Sequence, residues 1–247
     1  MEETITSEGL RLAAHFAFPP SGSGSVPGLV LCHGFPRGPR GAVSSAATYP
    51  ELADRVAREV GWAALAFNLR GTGASGGDFS VAGWRADLRA AVRELAERAS
   101  FVCVAGIAEG GTLAVCEAAE NPNVGGVATL GAPASLQEWT RDAARLLARA
   151  RGQGMVPTAG FPPDVGAWGR EAAGLDARRC ARELGPRPLL VLHGTADDVV
   201  APTDARALYE AAGASAELRM VHEAGHRLRH DPRAVAVLLG WLVRQMP

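Results

Sequence analysis

The chain carries an elbow that should end in a nucleophile and does not. Val102-Cys-Val-Ala-Gly-Ile-Ala-Glu-Gly-Gly111 is a short apolar, β-branched run that breaks into paired glycines and a helix-compatible segment. This is the strand, tight turn and helix written G-x-S-x-G, in which a strained central residue aims a nucleophile. Gly106, Gly110 and Gly111 supply the small neighbours such a turn requires. The central residue is Ala108, and a methyl group cannot attack a carbonyl. Three other stretches carry reactive residue types at the ends of apolar runs. His33-Gly34-Phe35 follows Gly28-Leu-Val-Leu-Cys32, Asp197 follows Leu189-Leu-Val-Leu-His-Gly-Thr-Ala, and His226 follows Leu218-Arg-Met-Val-His-Glu-Ala-Gly.

The elements that must position these residues can be read from hydrophobic period. Residues 3–7 and 10–18 read as two strands joined by a glycine turn, and 28–33 as a strand apolar throughout, as burial on both faces demands. Leu52, Val56 and Val60 give 49–60 a helical spacing that Gly61 ends. A strand over 62–67, a helix over 81–98, the elbow strand and helix over 101–119 and a strand over 126–130 continue the alternation. The segment 132–186 interrupts it with helical stretches at 136–151, 165–175 and 177–184 and no strand between. Strand, helix, strand and helix resume at 188–193, 203–212, 216–221 and 231–244, the last opened by Asp231-Pro232 as cap and first turn. The pattern predicts an α/β fold: one doubly wound, mostly parallel sheet of about eight strands. Residues 1–247 then form a single domain with 132–186 as a small helical cap inserted in it. Ser21-Gly-Ser-Gly-Ser25 reads as a flexible loop.

Composition narrows the class. A chain of 247 residues, 47% apolar, suits one large core, and a net charge of −1 gives no basic surface for nucleic acid or an anionic membrane. The 25 basic residues are all arginine. Four cysteines (Cys32, Cys103, Cys116, Cys180) lack C-x-x-C spacing and read as buried free thiols of a reducing compartment. The N-terminus is acidic without an apolar signal core, and no apolar run nears 18 residues. A cytoplasmic location is the expectation.

Ligands of an open parallel sheet bind beyond the carboxyl ends of its strands, where all four motifs fall. The order elbow, acid, histidine resembles that of the α/β-hydrolase superfamily. Within it, Phe67-Asn-Leu-Arg-Gly-Thr-Gly-Ala-Ser-Gly-Gly-Asp-Phe79 is similar to the N-x-R-G-x-G-x-S loop of small cytosolic hydrolases near the dienelactone-hydrolase and serine-aminopeptidase branches. The resemblance implies that His226 is general base and acid, with Asp197 orienting it and stabilising its imidazolium. Asp198 is the neighbouring register for the acid; the spacing H-G-x-x-D favours Asp197. It also implies an oxyanion hole from the backbone N–H groups of Phe35 and Glu109, with Gly34 in the same loop. His33 is a structural residue of that loop, and Met155, Phe161 and Trp168 of the cap are candidate walls of an acyl pocket. Arg37 and Arg40 form a solvated loop or attract an anionic substrate.

His222-Glu-Ala-Gly-His226 formally matches the zinc motif H-E-x-x-H, which needs both histidines on one helical face. Its strand-like start and Gly225 argue against a helix, so no metal and no other cofactor is expected.

Ala108 admits three readings. The chain is a hydrolase scaffold for a small ester, thioester or amide, silent because its nucleophile is replaced. Or the His226–Asp197 pair does base chemistry without a covalent step, as a lyase, isomerase or cyclase does. Or the pocket is a binding module. The expected partner is a small acyl compound, and oligomeric state is left open.

Overall fold

The structure is a computed structural model that describes residues 3–20, 25–37 and 40–245. The flexible loop read over 21–25 therefore lies, Ser25 apart, outside the described residues. β1 (Glu3–Ser7) and β2 (Leu10–Ala17) pair antiparallel across Glu8 and Gly9, whose φ angles of 48° and 81° are the consecutive positive values of a twisted hairpin turn. β2 pairs antiparallel with β4 (Ala63–Phe67). From β4 onward the sheet is parallel, through β3 (Gly28–Cys32), β5 (Val102–Ile107), β6 (Val124–Leu130), β7 (Leu189–Gly194) and β8 (Ala216–Val221). The order is β1-β2-β4-β3-β5-β6-β7-β8.

Every residue of β3, β4, β5 and β7 is buried, which is why these strands are written as unbroken apolar runs. Their side chains still alternate between two cores. Leu29, Leu31, Ala64, Ala105 and Leu190 face α1 (Tyr49–Val60) and α9 (Pro232–Arg244). Val30, Cys32, Leu65, Val104 and Val191 face the layer holding α2 (Val81–Ala96), α3 (Glu109–Glu120) and α8 (Pro202–Ala212). α1 buries Leu52, Val56 and Val60 and ends at Gly61 with φ 78°, the left-handed stop that its glycine allows.

Between β6 and β7 lie α4 (Glu138–Arg141), α5 (Ala143–Gly152), α6 (Val165–Arg170) and α7 (Ala177–Arg182). Two expected helices are shorter than their pattern. The stretch 136–151 is cut at Asp142, whose carboxylate accepts the Arg145 N–H and starts α5 afresh. The stretch 165–175 is α6 continued by a 3₁₀ turn, Glu171–Gly174. α7 packs against α3 and α8, so the end of this segment is a sheet-covering helix, while α4 to α6 pack on one another. All four cysteines are buried and unbridged.

Candidate active site

A single residue, Ala108, separates β5 from α3, and its φ of 51° and ψ of −127° show the strained elbow itself. A side chain held there costs about 1–3 kcal/mol, so the surroundings must enforce it. They do so by proximity. A Cβ on Gly106 would stand 2.2 Å from the Gly110 carbonyl oxygen, and one on Gly110 would stand 2.4 Å from that of Cys32. Both Ala108 peptide groups are tied, its N–H to the Leu130 carbonyl at 2.9 Å and its carbonyl to the Gly111 N–H at 2.8 Å. The Ala108 methyl thus lies at the wall of a cleft of about 1160 Å³ that His226 also lines.

Asp197 leaves β7 buried, with every carboxylate oxygen engaged. Its Oδ1 accepts the N–H groups of Val199 and Val200, both at 2.9 Å, and its Oδ2 accepts His226 Nδ1–H at 3.0 Å. Burial opposes its charge, but the Val200 N–H, His226 and the Val199 N–H outweigh burial and hold its pKa below the usual carboxylate value. The ion is therefore carboxylate, His226 is a donor at Nδ1, and Nε2 is its other, acceptor nitrogen. Asp198 is exposed on the cleft and makes no bond to His226; between the two registers the geometry selects Asp197. Glu223 is also no partner of His226, being exposed with φ 56° in the turn after β8. That turn, not a helix, carries His222-Glu-Ala-Gly-His226, so the zinc-type spacing lacks its helical face. Among the described residues no three His, Cys, Asp or Glu side chains gather as a metal site.

His193 belongs to this arrangement and its role was not legible beforehand. It is fully buried, with Nε2–H donating to the Val200 carbonyl at 3.0 Å and lying 3.3 Å from Asp197 Oδ2. It braces the loop whose N–H groups hold Asp197. Its signal is the histidine of H-G-x-x-D itself, four residues ahead of the acid.

The loop after β3 departs from expectation. The Phe35 N–H, expected to face a developing oxyanion, donates instead to Glu109 Oε2 at 3.0 Å. Glu109 Oε1 accepts from the Arg37 guanidinium. Glu109 is thus far more than a backbone N–H: its side chain turns back over the elbow and is 2% exposed. Three forces favour this. The carboxylate sits in the first turn of α3, where the helix dipole attracts an anion; Arg37 neutralises it; and Gly34 leaves room. A Cβ on Gly34 would stand 2.6 Å from Glu109 Oε2.

His33 is structural. Leu69 N–H donates to its Nε2 at 3.1 Å, which places the proton on Nδ1, within 2.8 Å of the Gly34 carbonyl. Burial pulls its pKa down to about 4, against the Gly34 bond that would raise it and with the Arg229 charge helping to lower it. The glycine-rich loop after β4 is the scaffold behind it. Arg70 Nη2 reaches buried Asp87 at 2.7 Å, Asn68 Nδ2 donates to the Ser45 carbonyl at 2.8 Å, and Thr72 Oγ1 donates to the Leu69 carbonyl at 2.6 Å.

The expected acyl-pocket walls do not reach the cleft. Met155 and Trp168 are buried, with the Met155 carbonyl accepting the Phe79 N–H at 2.8 Å and Trp168 Nε1 donating to the Phe79 carbonyl at 3.0 Å. Phe161 packs partly buried against the same core. These residues seat α5 and α6 on the β4–α2 loop, and none of the three lines the cleft. The cleft is lined instead by the 40–49 segment, the elbow, and the turns after β7 and β8, with Arg40, Arg227 and Arg229 among its side chains.

The sequence matches the family model described as alpha/beta hydrolase fold over residues 27–182. The chain belongs to the alpha/beta hydrolase fold family. A second model, described as serine aminopeptidase, matches a shorter stretch of this α/β-hydrolase, residues 168–233. Among solved structures it is similar to Est1E from Butyrivibrio proteoclasticus, with 18% identity, a TM-score of 0.73, and 98% of this chain and 96% of that one covered. It is likewise similar to the Pyrococcus furiosus esterase Pf2001, with 19% identity, a TM-score of 0.71 and coverage of 100% and 91%. The α/β-hydrolase GrgF from Penicillium sp. sh18 gives 18% identity, a TM-score of 0.75 and coverage of 100% and 98%. At such identity the likeness is one of fold. No curated protein matches the sequence.

Proposed function

We propose that this α/β-hydrolase binds a small acyl compound (an ester, thioester or amide) in the cleft beside Ala108 and, as its sequence stands, does not hydrolyse it through an acyl-enzyme. The observation that carries the reading is the 3.0 Å bond from His226 Nδ1–H to an ionised Asp197, beside an elbow whose central residue has no nucleophilic atom. Loss of the nucleophile costs on the order of 10⁶ in kcat. The family membership and the esterase-like fold neighbours support the scaffold half of this statement; the chemistry rests on the residues.

The test adds one oxygen. Ala108→Ser is assayed on p-nitrophenyl acetate and butyrate beside the parent and Ala108→Ser/His226→Ala. A gain that depends on His226 supports the reading; a folded Ala108→Ser protein that binds no ester sinks it.

One observation favours a second reading. Glu109 on the Phe35 N–H closes the donor that an acyl-transfer intermediate needs, while the His226–Asp197 pair stays assembled. A proton-transfer role without a tetrahedral oxyanion, as in lyase or isomerase chemistry, uses the second and does without the first.

A further inference from the structure

The wall of the cleft beyond His226 is unusually short of internal partners. The chain turns after His226 into a 3₁₀ turn, Leu228–His230, that lays the Arg229 guanidinium over the Tyr49 ring at 5.3 Å from its centroid. Arg229 Nε is buried without a hydrogen-bond partner. On the facing 40–49 segment, Ser45 Oγ and Thr48 Oγ1 are buried and equally unpartnered. Buried polar groups are nearly always bonded, and one left without a partner is destabilising. The three residues that carry these unpartnered groups all line the same cleft.

The charges point the same way. Arg227 and Arg229 line the cleft and make no ion pair among the described residues, and His230 stands beside them. Asp231, which also lines the cleft, is paired with Arg233 at 2.7 Å. The cleft's other acids, Asp198 and Glu223, belong to the turns after β7 and β8, on the His226 side.

We propose that Arg229, Ser45 and Thr48 form a subsite for an anionic headgroup, a carboxylate or a phosphate, at the far end of the small molecule whose acyl group lies at Ala108 and His226. This rests on the acyl-site reading above and names its ligand class. A guanidinium fork with two hydroxyls matches the oxygens of either anion. Arg229 follows His226 by three residues, so their backbones are no more than about 11 Å apart. That is the reach of a short dicarboxylic half-ester.

Because Ala108 prevents turnover, binding can be read on the protein as it exists. Calorimetry at pH 7.5 would compare monomethyl glutarate and monomethyl adipate with their dimethyl esters, and with methyl 4-phosphonobutanoate as the phosphate arm. The half-esters should bind at least tenfold tighter than the diesters, and Arg229→Gln should erase that difference. Whichever of carboxylate and phosphonate binds more tightly identifies the headgroup. Equal binding of half-ester and diester, or a preference that Arg229→Gln leaves intact, overturns the subsite. If Arg229→Gln fails to fold, Ser45→Ala/Thr48→Val carries the same comparison, with a loss of about threefold or more expected. The two readings fail differently: diester binding with an active Ala108→Ser but no acid preference removes only the subsite. Acid binding sensitive to Arg229→Gln, with no diester binding and no Ala108→Ser activity, removes only the acyl site.

Discussion

Glu109 Oε2 accepts the backbone N–H of Phe35 at 3.0 Å, so the residue next to Ala108 occupies the donor that a tetrahedral oxyanion would require. Restoring a nucleophile alone therefore leaves the site half closed. Removing one oxyanion donor costs about 10²–10³ in kcat in an acyl-transfer enzyme. Ala108→Ser/Glu109→Ala should exceed Ala108→Ser by about 10²-fold on p-nitrophenyl acetate. Equal rates for the two variants, both folded, would show that the Glu109 carboxylate does not obstruct that chemistry.

Ala108 holds φ 51° with a Cβ, although no reactive atom benefits from the strain. Ala108→Gly should raise stability by about 1 kcal/mol, or roughly 2 °C in Tm for a chain of this size. Gly106→Ala should do the reverse, by on the order of 3 kcal/mol, since its Cβ would meet the Gly110 oxygen at 2.2 Å. Thermal melts of the two variants beside the parent check both signs.

His33 gives a pH dependence. Its pKa is about 4 in the fold, chiefly from burial, against about 6.5 in an unfolded chain. Between those values the unfolded state binds the extra proton, so stability contributed by neutral His33 is complete above about pH 6.5 and is lost as pH falls toward 4. The loss is on the order of 3 kcal/mol. Urea titrations at pH 7.0, 5.5 and 4.5 should show this decline in the parent and a much shallower one in His33→Gln. Parallel declines would move the effect to other groups.

Arg70 and Asp87 test the loop behind the site. Asp87 is wholly buried and takes both the guanidinium, at 2.7 Å, and the Arg70 backbone N–H, at 2.8 Å. Arg70→Met strands that carboxylate and should cost about 3–5 kcal/mol. Arg70→Met/Asp87→Leu should recover part of it, because no buried charge is then left alone. A double variant as unstable as the sum of two single ones would mean that the pair is not coupled.

The alternation of strands and helices, the strand–glycine–helix turn at Ala108 and the chain order of Ala108, Asp197 and His226 were all legible in the sequence. Those features are written in short-range terms: apolar runs where both faces of a strand are covered, a helical spacing that Gly61 ends, and glycines where backbones nearly touch. The spacing H-G-x-x-D also points to Asp197, the carboxylate that bonds His226 and is held by the N–H groups of Val199 and Val200. Side-chain direction was not legible. Whether Glu109 faces solvent or folds over the elbow depends on Phe35 and Arg37, 74 and 72 residues away in the chain. Met155 and Trp168 have the same apolar character whether they line a pocket or seat a helix, and only their burial against Phe79 separates the two. Local pattern sets the elements because it acts through neighbouring backbone; the tertiary structure decides the site because its partners meet only when distant segments pack together.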